Sequence, residues 1–512
     1  MQMKQILFLS TFLIALMPLS AQDNQIIYYS SSITEAELQE HVKILASDDF
    51  MGRETGFEGQ KKAARYIHDN FKMLNLTGPA DGNNPFFQEF ELFENDWDKF
   101  ILVKNADSMF IGKELYVSGR WPEGEQILHI VFVGHGADTE HYSDYKGIDV
   151  EGKVVAFING EPLDKNGRFL TTGSFVPEYS IVGYDKARIA KNKGAVGAIM
   201  IDPDQSKIDK MIAMKKKFSN SQQLFLPSSG KFDNYDNGMI AMGYENASLL
   251  FGNSIKDWEK YLKKMSQGKS VSGILGTDIK LVSEKGTNKI SSENVLGMIR
   301  GSELPNEYII IIAHYDHLGQ RDDVIFNGAD DNASGTAAVI EIAEAFAEAA
   351  EAGYPPKRSI LFMPVSGEEK GLLGSRFYTS NPTVPLQNTI AALNMDMIGR
   401  QDGYAQKDTA YVFLYLSDEP GSNLDKVVKN ASKLEGQDFM TIYKYKESNE
   451  LSLRGSDHAS FENEGVPVLY FYCGTHVDYH RPTDTWEKLD YHNLTNIARM
   501  VFASAWQLAN QN

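Results

Sequence analysis

The stretch EYIIIIAHYDH, residues 307–317, is an almost unbroken apolar run that ends in His314, Asp316 and His317. A continuous run of isoleucines is expected of a strand buried on both faces, as in a parallel sheet covered by helices on either side. Four further stretches have the same form. They are NGADDNASG (327–335, with Asp330 and Asp331), LFMPVSGEE (361–369, with Glu368 and Glu369), AALNMDMIG (391–399, with Asp396) and VLYFYCGTHVDYH (468–480, with His480). Water-seeking groups at the ends of oily strands are costly to keep unless something binds them. Two histidines and several carboxylates converging on one spot make up a zinc site that performs hydrolysis.

Around these stretches the chain alternates between strand and helix. SGTAAVIEIAEAFAEAAEAG (334–353) reads as a helix, with Ser334 as N-cap and Gly353 as stop. Residues 358–367, 388–396 and 466–474 are further buried strands. The fold class expected is α/β, a mainly parallel sheet with helices on both faces. In open sheets of this kind ligands sit beyond the carboxyl ends of the strands. His314, Glu368, Glu369 and Asp396 all fall at or just past such an end. A single buried histidine is normally a hydrogen-bonded core residue, but four independent strands, counting the one that leads to His480, placing polar groups at one edge is not coincidence.

Upstream, residues 38–76 read as two helices around a glycine-rich turn, with Ala64, Ile67, Phe71 and Leu74 on one helical face. Residues 109–285 change character: short β-type runs alternate with turns, and one helix-like segment spans 184–194. A chain of 512 residues exceeds one ordinary core. The division expected is a signal peptide over 1–21, an N-terminal part of the site-bearing domain over 33–108, an inserted domain over 109–285 and the site-bearing domain proper over 286–512. His129, His135 and His141 lie in the insert without ligand-like spacing and read as surface or turn residues.

The bulk composition excludes several function classes. A formal charge of -19, with no compensating basic face, argues against a nucleic-acid partner. The N-terminus has Lys4, an apolar run from Ile6 to Met17 and small residues Ser20 and Ala21 before Gln22, the layout of a secretory signal. That run is shorter than the roughly 20 residues needed to span a bilayer. An exported protein, periplasmic or extracellular and without a stable membrane anchor, is therefore expected. Cys473 is the sole cysteine, so an intramolecular disulfide is impossible. Its place in an apolar strand suits a small buried hydrophobe rather than a nucleophile.

Within the polar cluster, His314 and Asp316 are two apart, so the Asp316 carboxylate can accept the imidazole N–H not turned to a metal. Strand alternation turns His317 away, to a loop or supporting role. Spacing alone does not choose between Asp330 and Asp331, nor between Glu368 and Glu369. One glutamate of an adjacent pair can bind metal while the other takes a proton from the attacking water. His476 competes with His480, and Asp484 can orient whichever histidine binds. Asp457 and His458, with Arg454 close by, are candidates for the substrate pocket.

The strings AHYDHLG, NGADDNASG, SGEEKGLLGS, NMDMIGR and HRPTDTW resemble, in order, the signature segments of the two-zinc aminopeptidases of metallopeptidase family 28. LASDDFMGRETGFEGQKKAARYI near the N-terminus extends the match. The resemblance implies that Asp331 bridges two Zn2+ ions, that Glu369 and His480 complete one and His314 and Asp396 the other, and that Glu368 is the general base, with Asp316 also catalytic. It further implies a cis peptide between Asp331 and Asn332. The substrates implied are peptides with a free N-terminus. DVEGKVVAFING and KGAVGAIMI in the insert resemble the protease-associated domain. Three rivals share the fold: a glutamate-releasing carboxypeptidase, for which Arg400 and Arg454 could hold a substrate carboxylate; a one-zinc glutaminyl cyclase; and a silent receptor or scaffold, which should have lost ligands.

Overall fold

The computed structural model describes residues 21–511, apart from 95–96, 120, 177–183, 219–223, 227–237, 266, 268, 270, 274, 286–287, 403–410, 418–422, 436–440 and 445–454. The segment expected to be a signal thus lies outside the described residues, except its last position. The chain divides into two compact units, Met1–Phe90 with Ser291–Asn512, and Glu91–Ile290. The second unit begins at Glu91 rather than at 109, because Trp97–Lys104 and Asp107–Phe110 pair with each other and the former pairs with Gly276–Lys285.

The first unit is built on a sheet of seven strands: β1 (Gly297–Ile299), β2 (Leu304–His314), β3 (Arg358–Val365), β4 (Thr389–Met395), β5 (Tyr411–Leu416), β6 (Thr441–Lys444) and β7 (Val468–Tyr472). Their order is β1-β3-β2-β4-β7-β5-β6. The central strands β3, β2, β4 and β7 are all parallel, in line with the mainly parallel sheet expected. Two pairs are antiparallel, β1 on β3 and β5 on β7, so the sheet is mixed. Apolar runs report burial and carry no sign of strand direction.

The isoleucine run is explained by the pleat. Ile309, Ile311 and Ala313 enter one core, while Ile310 and Ile312 enter another with Leu361, Met363 and Phe461. Successive side chains leave a strand on opposite faces, so a strand sandwiched between two cores must be apolar at every position. Each fully buried isoleucine contributes roughly 1.5–3 kcal/mol of transfer free energy. The helices that close the first core include α1 (Glu35–Leu45), α2 (Glu58–Met73), α3 (Gly335–Glu351) and α4 (Tyr491–Asn510). Ala64, Ile67 and Phe71 of α2 are buried there, with Leu74 packed at its margin. Gly353, at φ 93°, follows the last residues of α3. Ser334 does not cap α3 in the expected way. Its Oγ donates to Asp330 O at 2.7 Å, tightening a π-type turn over Ala329–Ser334. No helix among the described residues is long and apolar enough to cross a membrane.

The second unit carries an eight-stranded mixed sheet. Besides the expected helix at Tyr184–Asn192 it has helices at Gln205–Phe218, Tyr244–Phe251 and Ile255–Met265. Their few apolar anchors, such as Ile208, Trp258 and Met265, are spaced for one narrow buried stripe. His129 is an exposed partner of Asp278, and His135 is buried in a turn.

One buried cation ties the N-terminal segment to the sheet. Arg53 is fully buried, and its guanidinium donates to the carbonyls of Leu45, Tyr315, Asn327 and Gly328 at 2.6–2.8 Å. Burial lowers its pKa to about 10, and the charges of Asp331 and Asp316 oppose that shift, so it stays charged at neutral pH. Tyr315 follows β2, and Asn327 and Gly328 precede the π-type turn. The fork therefore holds two separate loops at fixed spacing. Replacing Arg53 by Ala removes the guanidinium from four carbonyls, of which Gly328 O keeps the Ala333 N–H at 3.3 Å, and we expect a loss of about 3 kcal/mol or more in urea unfolding. Lys, a point charge without the fork, should recover only part. Wild-type stability in Arg53→Ala would remove this tether from the account.

Candidate metal centre

Register brings the polar strand ends to one level. His314 is opposite Val365 of β3, Ile312 is opposite Asn394 of β4, and Met395 is opposite Phe471 of β7. Each strand then leaves the sheet through polar residues: Glu368 and Glu369 after β3, Asp396 after β4, and His476 and His480 after β7. The chain passes from β2 to β3 on one side and from β3 back to β4 on the other. That reversal opens a crevice at the carboxyl ends beside β2.

Asp331 occupies the middle of the cluster. Its Oδ1 is 3.4 Å from His314 Nε2, while its Oδ2 is 3.2 Å from His480 Nε2 and 3.7 Å from His317 Nδ1. His314 Nε2 also lies 3.2 Å from Asp396 Oδ1, and His480 Nε2 lies 3.2 Å from Glu369 Oε2. The two oxygens of one carboxylate thus face two separate nitrogen–carboxylate groups. Ligand atoms of His314, Asp331 and Asp396 fall within 4.8 Å of one another, as do those of His317, Asp331 and Glu369. Imidazole and carboxylate donors in such a mix suit zinc. The Asp331–Asn332 peptide is cis, as the resemblance implies.

The surrounding residues settle several choices that spacing leaves open. Asp330 turns away from the cluster: its Oδ1 accepts from Gly399 N at 2.7 Å, and its Oδ2 is 3.2 Å from His476 Nε2. His476 is thereby drawn off, and His480 reaches Asp331 and Glu369. Asp484 orients neither histidine; its Oδ2 accepts from the backbone N–H of both Asp330 and Asp331. Asp316 acts on His314 by a different atom from the one expected. His314 Nδ1 lies 3.1 Å from the Asp316 backbone carbonyl and 3.8 Å from its carboxylate. That carboxylate is taken up by Thr55 Oγ1 at 2.6 Å and Glu368 N at 3.2 Å.

His317 is the main correction. The strand ends at His314, so alternation no longer governs the ring three residues on. It is fully buried with Nδ1 2.8 Å from Glu369 Oε1. Arg53 and Thr55, in the string GRETG, are the residues that spacing arguments miss. A charged residue inside a glycine-rich turn is their only trace in the sequence.

Burial and charge set the two adjacent glutamates apart. Burial alone would raise Glu369, but His317 and His480 hold it well below the usual carboxylate range. Burial pushes Glu368 well above that range, and the negative charges of Glu369, Asp396 and Asp457 add to the effect against His314. For His314 burial pulls down, yet Asp396, Glu368 and Asp331 carry it well above its ordinary value. His480, also pulled down by burial, is raised to about 10 by Asp331 and Glu369.

Among the pocket candidates, Asp457 is buried, and desolvation raises it to about 7. His458 stacks on Tyr470 with ring centroids 4.2 Å apart. Arg454 lies outside the described residues. Arg400, the other cation considered for a substrate carboxylate, is paired with Asp478 at 2.7 Å. Cys473 is buried, as its apolar strand suggests.

Residues 294–505 match the family described as peptidase family M28. A probable zinc metalloprotease of Pyrenophora teres is 24% identical, over 52% of this chain and 62% of its own length. A glutamate carboxypeptidase 2 homolog of Caenorhabditis elegans is 30% identical, over 91% of this chain and 66% of its own length. The chain thus spans about two thirds or less of these curated relatives. Among solved structures, an aminopeptidase from Aneurinibacillus sp. strain AM-1 superposes with a TM-score of 0.54 at 20% identity, covering 96% of this chain and 97% of that one. That likeness extends the shared fold across both units of the chain, and the chain carries a peptidase family M28 domain.

Proposed function

We propose that the protein is a zinc-dependent aminopeptidase that uses two metal ions and takes residues from the free N-terminus of peptides. The observation that carries this reading is the Asp331 carboxylate, whose two oxygens face different histidine–carboxylate groups. His314, Asp331 and Asp396 would hold one ion, and Asp331, Glu369 and His480 the other. A metal pair, when bound, supplies Lewis acidity that polarises a scissile carbonyl and acidifies a water at neutral pH.

Glu368 then has a separate task. Its Oε2 is 3.9 Å from His314 Nε2, and it has no part in either close group of ligand atoms. A carboxylate raised well above its usual range is a stronger base than an ordinary glutamate. It would take the proton of the attacking water and return it to the leaving amine. Asp316 fixes its own neighbours: it holds the Glu368 backbone N–H and, through its carbonyl, the His314 ring. Free carboxylates around the centre would attract the α-ammonium of a peptide. The unit Glu91–Ile290 is read as a protease-associated module, on the strings that resemble one.

A second reading draws on the 30% identity to the carboxypeptidase homolog over most of this chain. It needs a cation for the substrate's carboxylate. Arg400 is already committed to Asp478, and Arg321 and Lys370 both bind Glu54.

Metal uptake should expel protons. In the metal-free protein His480, raised to about 10, and His314, raised above its ordinary value, carry protons at pH 7, and metal binds only neutral imidazole. Raised pKa values mean that protonated forms persist as pH rises, so zinc affinity should climb between about pH 6 and about pH 8, with protons released on binding. Calorimetry in buffers of different ionisation enthalpy measures this; proton-neutral binding would contradict it. Glu368→Gln should keep both metals by elemental analysis yet lose on the order of 10²–10⁴-fold in turnover. Undiminished turnover would remove Glu368 as base. A panel of free and N-acetylated peptides, with and without chelator, separates the readings. Chelator-sensitive cleavage of free N-termini alone is expected, whereas release of C-terminal glutamate from blocked dipeptides would favour the carboxypeptidase.

A further inference from the structure

His317 stands outside the five-ligand set of the proposed centre, yet it is completely enclosed beside it. Its Nδ1 approaches Glu369 Oε1 to 2.8 Å and Asp331 Oδ2 to 3.7 Å. Even so, among the described residues neither ring nitrogen of His317 nor Glu369 Oε1 has a hydrogen-bond partner. At 2.8 Å this means that the oxygen lies off the axis along which the ring nitrogen carries its proton or lone pair. Two polar atoms that come close without pointing at each other, in a site closed to solvent, are atoms aimed at a third point. The ligand atoms of His317, Asp331 and Glu369 lie within 4.8 Å of one another, the span that one cation fills.

The ring is fixed in that pose. His317 N donates to Arg53 O at 3.2 Å, and a β-bridge joins the residue to Glu54. Gly328, at φ 57°, lies against the ring, and a Cβ there would fall 2.5 Å from His317 Cγ and Cδ2. His480 takes the other oxygen of Glu369, its Nε2 3.2 Å from Oε2, and the two imidazole centroids are 5.9 Å apart. The histidines therefore address different oxygens of one glutamate.

Resting on the two-metal reading, we propose that His317 is a further ligand, through Nδ1, at the metal position of Asp331, Glu369 and His480. That position then has four protein donors, two of them imidazoles. The other has His314, Asp331 and Asp396 alone. Zinc with four protein donors is closed, whereas zinc with three keeps a place for water or substrate. The two positions would then differ: the one held by His317 would be the tighter, resident one, and the one held by His314, Asp331 and Asp396 would keep a place open for water or substrate.

The test is metal binding by the full chain. Chelator-stripped protein is titrated with Co2+, followed by calorimetry and by visible absorption, in wild type, His317→Ala and His317→Asn. Wild type should take up two ions with unequal affinity. His317→Ala should weaken the tighter event by at least about tenfold and change the spectrum of the first-bound ion, leaving the weaker event in place. His317→Asn, whose side-chain oxygen can stand near the Nδ1 position, should fall between the two and carries the test if the alanine variant does not fold. Two ions bound by both variants with wild-type affinity and an unchanged spectrum would overturn the proposal and leave the two-metal reading standing. Fewer than two ions in wild type would overturn both.

Discussion

Negative charge packed into a closed space is the constraint on which the rest of this site depends. Asp316, Asp331, Glu368, Glu369, Asp396 and Asp457 are all largely or fully shielded from water at one edge of one sheet. Carboxylates removed from water repel one another strongly and lose their hydration. The fold answers in two ways. It places His314, His317 and His480 among them, and it commits Asp316, with Asp330 beside the set, to backbone N–H and hydroxyl donors. Asp316 is held by Thr55 and the Glu368 backbone, and nearby Asp330 by Gly399. What remains uncompensated is the inner set around Asp331. A divalent cation, as proposed, would complete a site whose surplus of negative charge the protein does not neutralise itself.

That charge would scatter the loops bearing it were they not held from behind. Arg53 does this for the segment after β2 and the segment before Asp330 together, and Asp484 grips the backbone N–H groups of Asp330 and Asp331. Both restraints act on main chain and leave the ligand side chains free of competing partners. The cost is a guanidinium without water, offset by four carbonyl contacts and the nearby acids. A strand–loop–helix frame supplies direction, and these buried polar contacts supply position.

The strands and most of the polar cluster are legible in the sequence for a physical reason. A strand buried on both faces must be apolar throughout, so the polar residue that ends it stands out, as His314 does after four isoleucines. Asp396 and the Glu368–Glu369 pair are visible on the same grounds. His317 is not, because period-two reasoning fails once the chain leaves the strand. The choice of Asp331 over Asp330 depends on a π-type turn that no residue spacing announces, and it enters the reading through family resemblance. Arg53 is hidden differently. Its partners are carbonyls, and a carbonyl leaves no mark in a sequence. The antiparallel pairings of β1 and β5 are equally silent, since burial is indifferent to chain direction.

The adjacent glutamates show how one backbone step separates two chemistries. Consecutive residues in the turn after β3 send their side chains different ways. Glu369 meets the imidazoles of His317 and His480, which stabilise its charge. Glu368 is raised first by burial, and Glu369, Asp396 and Asp457 oppose its charge against the single nearby imidazole of His314. A ligand must stay ionised and a base must accept a proton, so the two roles need opposite shifts from one residue type. An arrangement of two close imidazoles at Glu369, against one more distant imidazole at Glu368, achieves that without any change of side chain. It also accounts for the position of Asp316, whose carboxylate holds the Glu368 N–H and whose carbonyl lies beside the His314 ring. The proposed base and the histidine proposed to face a metal are both held by one residue.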